Sequence, residues 1–170
     1  MLPRLLTPDW LPGTSLAQLP LGQLLERDIR ALVLDVDCTL LPRHQSTLPP
    51  VMESWLRQAK CLLPIHLLSN NPSRRRIGDV AHQLDVPYTT SASKPRRAAL
   101  RRVVLKFGLP ARQVAIAGDR LFTDVLVGNR LGLYTVLVKP TDWNGEPSSH
   151  LHLQSLELRM ARWIGSTWRK

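Results

Sequence analysis

Ala31-Leu32-Val33-Leu34-Asp35-Val36-Asp37-Cys38-Thr39 is the stretch that decides the fold. A continuous apolar run rich in branched side chains reads as a strand buried on both faces, as at the centre of a parallel sheet. The run ends in acid. Outward from it, Pro50 to Ala59 reads as a helix with Val51, Trp55 and Leu56 on one side, and Pro64 to Leu68 as a second buried strand. Pro72 to Leu84 reads as a helix with Pro72 in its first turn, where a missing N–H costs nothing. Val86 to Thr89 follows as a short strand, Lys94 to Phe107 as a helix stopped by Gly108, and Gln113 to Ala117 as a fourth strand. Thr123 to Arg130 reads as a helix ended by Gly132, and Leu133 to Val138 as the fifth strand. Strand and helix thus alternate along the chain. The expectation is an α/β protein: an open, mostly parallel five-stranded sheet with helices on both faces, a three-layer sandwich. Residues 1–170 are read as one domain, with an N-terminal extension at 1–28, a core at 31–138 and an amphipathic C-terminal helix at 151–168.

At 170 residues with 44% hydrophobic content, the chain is long enough for a real core. No apolar stretch approaches the ~20 residues of a spanning helix. Pro3, Pro8, Pro12 and Pro20 interrupt the N-terminal leucines, which does not read as a signal peptide. Cys38 and Cys61 lack metal-ligand spacing, and two free thiols fit a reduced, cytoplasmic compartment. The net charge of +10 calls for anionic partners: phosphorylated metabolites, nucleic acid or an acidic membrane, unless it is simply a solvated basic surface.

In sheets of this kind ligands bind past the carboxyl ends of the strands, where strand order reverses. The chemistry-bearing residues fall at such ends. Asp35 and Asp37 follow the first strand. A divalent cation gives paired carboxylates a reason to coexist, and oxygen ligands suit magnesium. One carboxylate can attack phosphorus and the other can serve as acid and then base. Alternatively, Asp35 caps the strand and Asp37 a turn. After the fourth strand, Gly118 permits a tight turn that directs Asp119 to the same edge as a metal-ligand candidate. Asp124 either holds a metal-bound water or caps the helix from Thr123. Ser69, with the amides that follow it, can hold phosphate oxygens, and Asn70 and Asn71 suit the turn and can donate more hydrogen bonds. A plain strand-to-helix turn is the alternative there. Lys94, read at a helix start where N–H groups favour anions, can neutralise phosphate and the attacking carboxylate together, although a lone lysine there is more often surface charge.

Asp35-Val36-Asp37-Cys38-Thr39-Leu40, Leu67-Leu68-Ser69-Asn70-Asn71, Ser93-Lys94-Pro95 and Ala117 to Asp124 together resemble the four motifs of the haloacid dehalogenase (HAD) superfamily of phosphatases. The finer resemblance is to subclass IIIA of the YqeG type, related to phosphatidylglycerophosphate phosphatase. It spans roughly residues 20–164 and implies a Rossmannoid core with minimal or no cap domain. It further implies Asp35 as nucleophile, Asp37 as general acid/base, and Ser69, Asn70 and Lys94 as phosphoryl-binding. Mg2+ would lie on Asp35, Asp37 through its backbone carbonyl, Asp119 and Asp124. Cys38 departs from the family, which commonly has asparagine there, and a thiol at that place would make the site sensitive to oxidation.

The short loop between Asp37 and Pro50 leaves little room for a lid, so the site is expected to be open to large or membrane-held substrates. From Leu151 onward, Leu153, Leu156, Met160, Trp163, Ile164 and Thr167 fall at helical spacing, with Arg159, Arg162, Arg169 and Lys170 mostly beside them. The first reading is that this stripe packs on the sheet and that Trp163 and Trp168 close the core. The second is that it lies on an anionic membrane as a peripheral anchor. The family resemblance implies phosphatidylglycerophosphate as the substrate, and the basic surface is compatible with that anionic lipid. The alternatives are a sugar phosphate, a nucleotide or a nucleic-acid end, or a non-catalytic module that holds RNA or protein.

Overall fold

The computed structural model describes residues 2–148 and 152–166. Two short helices, α1 (Leu2–Leu5) and α2 (Leu21–Glu26), lead into β1 (Ala31–Leu34). There follow α3 (Pro50–Leu62), β2 (Ile65–Leu68), α4 (Arg74–Leu84), β3 (Tyr88–Thr89), α5 (Ala98–Phe107), β4 (Val114–Gly118), α6 (Leu126–Asn129), β5 (Tyr134–Leu137) and α7 (His152–Trp163). The sheet order is β3-β2-β1-β4-β5 with every pairing parallel. β1 is central, with Leu34 level with Leu67 of β2 and with Ala117 of β4. Strand order reverses between β1 and β4, so the acids that follow these strands emerge at the crevice where such sheets bind ligands.

The two-residue period of the strands sorts the core into two layers. Leu32, Leu34, Ile65, Leu67, Ala115 and Ala117 face Met52, Trp55, Leu56, Ile77, Val80 and Leu84 of α3 and α4. Ala31, Val33, Val114 and Ile116 face Leu100 and Val103 of α5 and Val127 of α6. No inserted domain interrupts this sandwich among the described residues. The residues before β1 are part of the core: Leu6, Leu16, Leu19 and Leu24 are buried. Trp10 extends the sheet beside β5, accepting from the Leu137 amide at 2.9 Å and donating to the Thr135 carbonyl at 3.0 Å.

Several boundaries differ from expectation for local reasons. Met52, not Val51, packs inward from α3, and Val51 is exposed. Pro72 precedes α4, whose N-cap is Ser73, its Oγ accepting from the Arg76 amide. Lys94 does not open a helix: Pro95 follows it and disfavours helical backbone there, and α5 starts only at Ala98. The helix read from Thr123 begins earlier, at Leu121, as a π-helical turn in which the Arg120 carbonyl accepts from both Asp124 and Val125.

The largest correction concerns α7, whose apolar stripe does not pack on the sheet. Leu153, Leu156, Met160, Trp163 and Ile164 are exposed, Trp163 to 90%. The inward side carries Gln154, Glu157 and Ala161 instead. Buried backbone groups explain the choice, since they must find partners. Gln154 Nε2 donates to the carbonyls of Asp119 (2.6 Å) and Val138 (2.7 Å). Glu157 accepts from Arg120 Nε (2.7 Å) and from the Leu121 amide (2.8 Å). The positions read in the tail at Leu151, Thr167, Trp168, Arg169 and Lys170 lie outside the described residues.

Candidate active site

β1 hydrogen-bonds on to Asp35, whose amide donates to the Ala117 carbonyl at 3.0 Å and fixes the acid beside the end of β4. The chain then turns tightly: the Val36 carbonyl accepts from the amides of Thr39 and Leu40, and Cys38 donates its amide to the Leu41 carbonyl. Cys38 has φ +64°, left-handed backbone that asparagine and glycine adopt most readily. The turn returns the Thr39 hydroxyl to Asp35 Oδ2 at 3.1 Å, with Asp119 Oδ1 at 3.5 Å.

Asp35, Asp119 and Asp124 converge, with one carboxylate oxygen from each within 4.8 Å of the others, and all three residues are buried. Lys94, in the loop between β3 and α5, enters this cluster. Its Nζ donates to Asp35 Oδ1 (2.6 Å), Asp124 Oδ1 (2.6 Å) and the Leu68 carbonyl (2.9 Å), using all three protons. Lys94 is placed by Asn70, whose side-chain amide donates to the Lys94 carbonyl (3.0 Å) and accepts from its N–H (2.7 Å). Ser69 is fully buried and its Oγ accepts from the Asn71 amide at 3.0 Å. Asp124 lies in this cluster and also accepts from the Arg120 amide at 3.2 Å, so it bonds to the helix start while facing the other acids.

Asp37 stands apart from the three acids. Its carboxylate accepts from Arg76 Nη1 (2.6 Å) and Asn71 Nδ2 (3.0 Å) and lines the same cavity. Arg76 also ties down the following loop through the carbonyls of Pro42 (3.1 Å) and Gln45 (2.8 Å). In the sequence Arg76 is only the last of three consecutive arginines, Arg74-Arg75-Arg76, with no local sign of this role. Arg43, which lines the cavity, Gln154, which bonds the Asp119 carbonyl, and Glu157, which holds Arg120, were also not singled out. A faint signal existed for Glu157 alone: it is the single acid of α7.

Electrostatics explain why the cluster needs positive charge. Burial pushes Asp35 up to about 6 against the pull of Lys94. Burial, then the charges of Asp35 and Asp124, holds Asp119 well above the usual carboxylate range. Burial alone would depress the Lys94 ammonium, but Asp124 and Asp35 outweigh it and keep it above its ordinary value. One lysine faces three acids, so the donor set is hard, anionic and under-compensated, which suits a small divalent cation bound through oxygen. The cavity of about 110 Å³ has space for roughly four waters, the scale of a phosphoryl group rather than a whole metabolite. Burial and the Asp119 charge raise the Cys38 thiol, which disfavours the thiolate there.

Gly118 admits no side chain. A Cβ there would overlap the Asp124 carboxylate, which Lys94 and the Arg120 amide both hold in place. Gly118→Ala should therefore cost about 1–3 kcal/mol of stability, by overpacking. Displacement of Asp124 should also lower phosphate release at least about tenfold. Urea denaturation and a steady-state assay check both, and an unaltered variant would show that Asp124 has room to move.

Comparison with known proteins gives the family of the chain. The family described as HAD-hydrolase-like matches residues 91–143. The probable phosphatase YqeG of Bacillus subtilis (strain 168) is 33% identical over 119 residues, covering 69% of each chain. Chloroplastic phosphatidylglycerophosphate phosphatase 1 of Chlamydomonas reinhardtii is 30% identical over 144 residues, covering 79% of this chain and 54% of the algal protein. Among solved structures, a hypothetical protein from Xanthomonas campestris superposes with a TM-score of 0.58 at 19% identity, covering 90% of this chain and 94% of that one, a likeness of fold. With its parallel sheet and clustered strand-end acids, the chain belongs to the haloacid dehalogenase superfamily, as a phosphatase related to the YqeG-type proteins.

Proposed function

We propose that this phosphatase is magnesium-dependent, works through a phospho-Asp35 intermediate and dephosphorylates phosphatidylglycerophosphate at a membrane surface. The observation that carries the reading is the buried convergence of Asp35, Asp119 and Asp124 on Lys94 at the switch point of an uncapped sheet. The likeness to the algal enzyme supports the lipid substrate.

Asp35 attacks phosphorus in line, forming an acyl phosphate as the bond to the leaving alcohol breaks. Asp37, held at the cavity by Arg76 and Asn71, gives a proton to that alcohol. It then takes a proton from the water that attacks phosphorus, releasing phosphate and restoring Asp35. Ser69 and Lys94 hold the phosphoryl oxygens, Lys94 exchanging one of its three present hydrogen bonds for phosphate and neutralising charge on phosphate and nucleophile together. Asn70 acts on this step by fixing the Lys94 backbone. Magnesium on Asp35, Asp119, Asp124 and the Asp37 carbonyl would supply the positive charge that the lone lysine leaves wanting.

A phosphate-release panel tests the reading, with phosphatidylglycerophosphate in detergent micelles, sugar phosphates, nucleotides and p-nitrophenyl phosphate, each with magnesium and with chelator. Turnover should require magnesium and be fastest on the lipid. Rapid release from a sugar phosphate or nucleotide, with the lipid untouched, would overturn the substrate and leave the chemistry standing.

A further inference from the structure

The outer face of α7 combines features that no step of the proposed reaction uses. Leu153, Leu156, Met160 and Trp163 recur at helical spacing and all are exposed. Arg159 and Arg162 line one open concavity with Leu156, Met160 and Trp163. The helix's single acid, Glu157, is turned inward onto Arg120, so among the described residues the outward face of α7 presents apolar groups and arginines and none of the helix's own carboxylates. At its near end, Leu153 and Gln154 share a cavity with Asp119, Arg120 and Arg43 at the edge of the acidic cluster.

We infer that this face docks the protein on an anionic lipid surface, with α7 lying in the interface. The apolar side chains enter the headgroup–acyl boundary, Trp163 takes the interfacial position its amphipathic ring favours, and the arginines meet lipid phosphates. Because α7 is bolted to the loop after β4 by Gln154 and Glu157, docking brings the mouth of the phosphate cavity to the headgroup layer. A second copy fits the face less well, since a twofold contact would set the same arginines against each other. An anionic surface instead complements both them and the net charge of +10. The biological sense of this docking rests on the proposed lipid substrate; its test does not.

The full chain is sedimented with vesicles of phosphatidylcholine alone or of phosphatidylcholine with phosphatidylglycerol, without turnover. Binding is expected only to the anionic vesicles, and salt should weaken it. Leu156→Gln, Met160→Gln and Trp163→Gln combined should reduce partitioning at least about tenfold. Arg159→Gln with Arg162→Gln should reduce it about fivefold per charge. Both variants should keep the wild-type melting temperature and p-nitrophenyl phosphate hydrolysis. Failure of the wild type to bind, or undiminished binding by the folded variants, would overturn the inference. So would a dimer in sedimentation velocity that the apolar substitutions dissociate, since a second copy would then cover the face. Vesicle binding without phosphatidylglycerophosphate turnover would uphold docking and sink the substrate; micellar turnover without vesicle binding would do the reverse.

Discussion

Asp35→Asn should lower phosphate release by about three orders of magnitude or more, the scale expected when a nucleophile is removed, while the protein stays folded. The side chains are isosteric, and both hydrogen bonds of Asp35 have plausible replacements: the amide oxygen can accept from Lys94, and the amide nitrogen can donate to the Thr39 hydroxyl. What the amide lacks is the negative charge that would make its oxygen nucleophilic enough to attack phosphorus. The substitution also removes one of three buried negative charges, one whose pKa burial has already pushed up to about 6. The chelated variant should therefore melt no lower than chelated wild type near neutral pH, and magnesium should raise its melting temperature less than it raises that of the wild type. Loss of activity with retained melting separates a chemical role from a structural one. Turnover near the wild-type rate would remove Asp35 from the reaction.

The sheet and the acids were legible because both depend on short-range patterns. Ala31–Leu34 and Val114–Gly118 are apolar without alternation, which only a strand covered on both faces tolerates, and the acids follow directly. Lys94 was found by its motif but misplaced on a helix, because helical spacing in Ala98–Phe107 was extended back across Pro95. Its ion pairs reach across 59 and 30 residues, and no local pattern encodes those distances. The same holds for Arg76, 39 residues from Asp37, which looked like surface charge among its neighbours. The orientation of α7 was misread for an energetic reason. The apolar stripe gave the expected inward face, yet the surface beneath presents the carbonyls of Asp119 and Val138 and the amide of Leu121. A helix covering those groups must offer Gln154 and Glu157, because an unpaired buried polar group costs more than an exposed leucine.

Lys94→Met should destabilise the chelated protein by about 3–5 kcal/mol, the cost of breaking a buried ion pair from one side. Methionine is close in length and keeps the packing, so the change isolates charge and hydrogen bonding. It leaves Asp35, Asp124 and the Leu68 carbonyl without the partner that now satisfies each of them. All three residues are buried, so water cannot easily take its place. The loss should be strongly non-additive with Asp35→Asn. Once one carboxylate is neutral, fewer buried charges are stranded, and the double variant should be more stable than Lys94→Met alone. Urea denaturation of the wild type, both single variants and the pair supplies the cycle. Additive losses, or a Lys94→Met cost under about 1 kcal/mol, the range of exposed pairs, would mean that the ammonium does not hold the carboxylates together. Activity should not return in the double variant, because Asp35, the proposed nucleophile, is still missing. Stability and turnover would then part company within one pair of contacting residues, as expected where a buried lysine serves both the fold and the phosphoryl group.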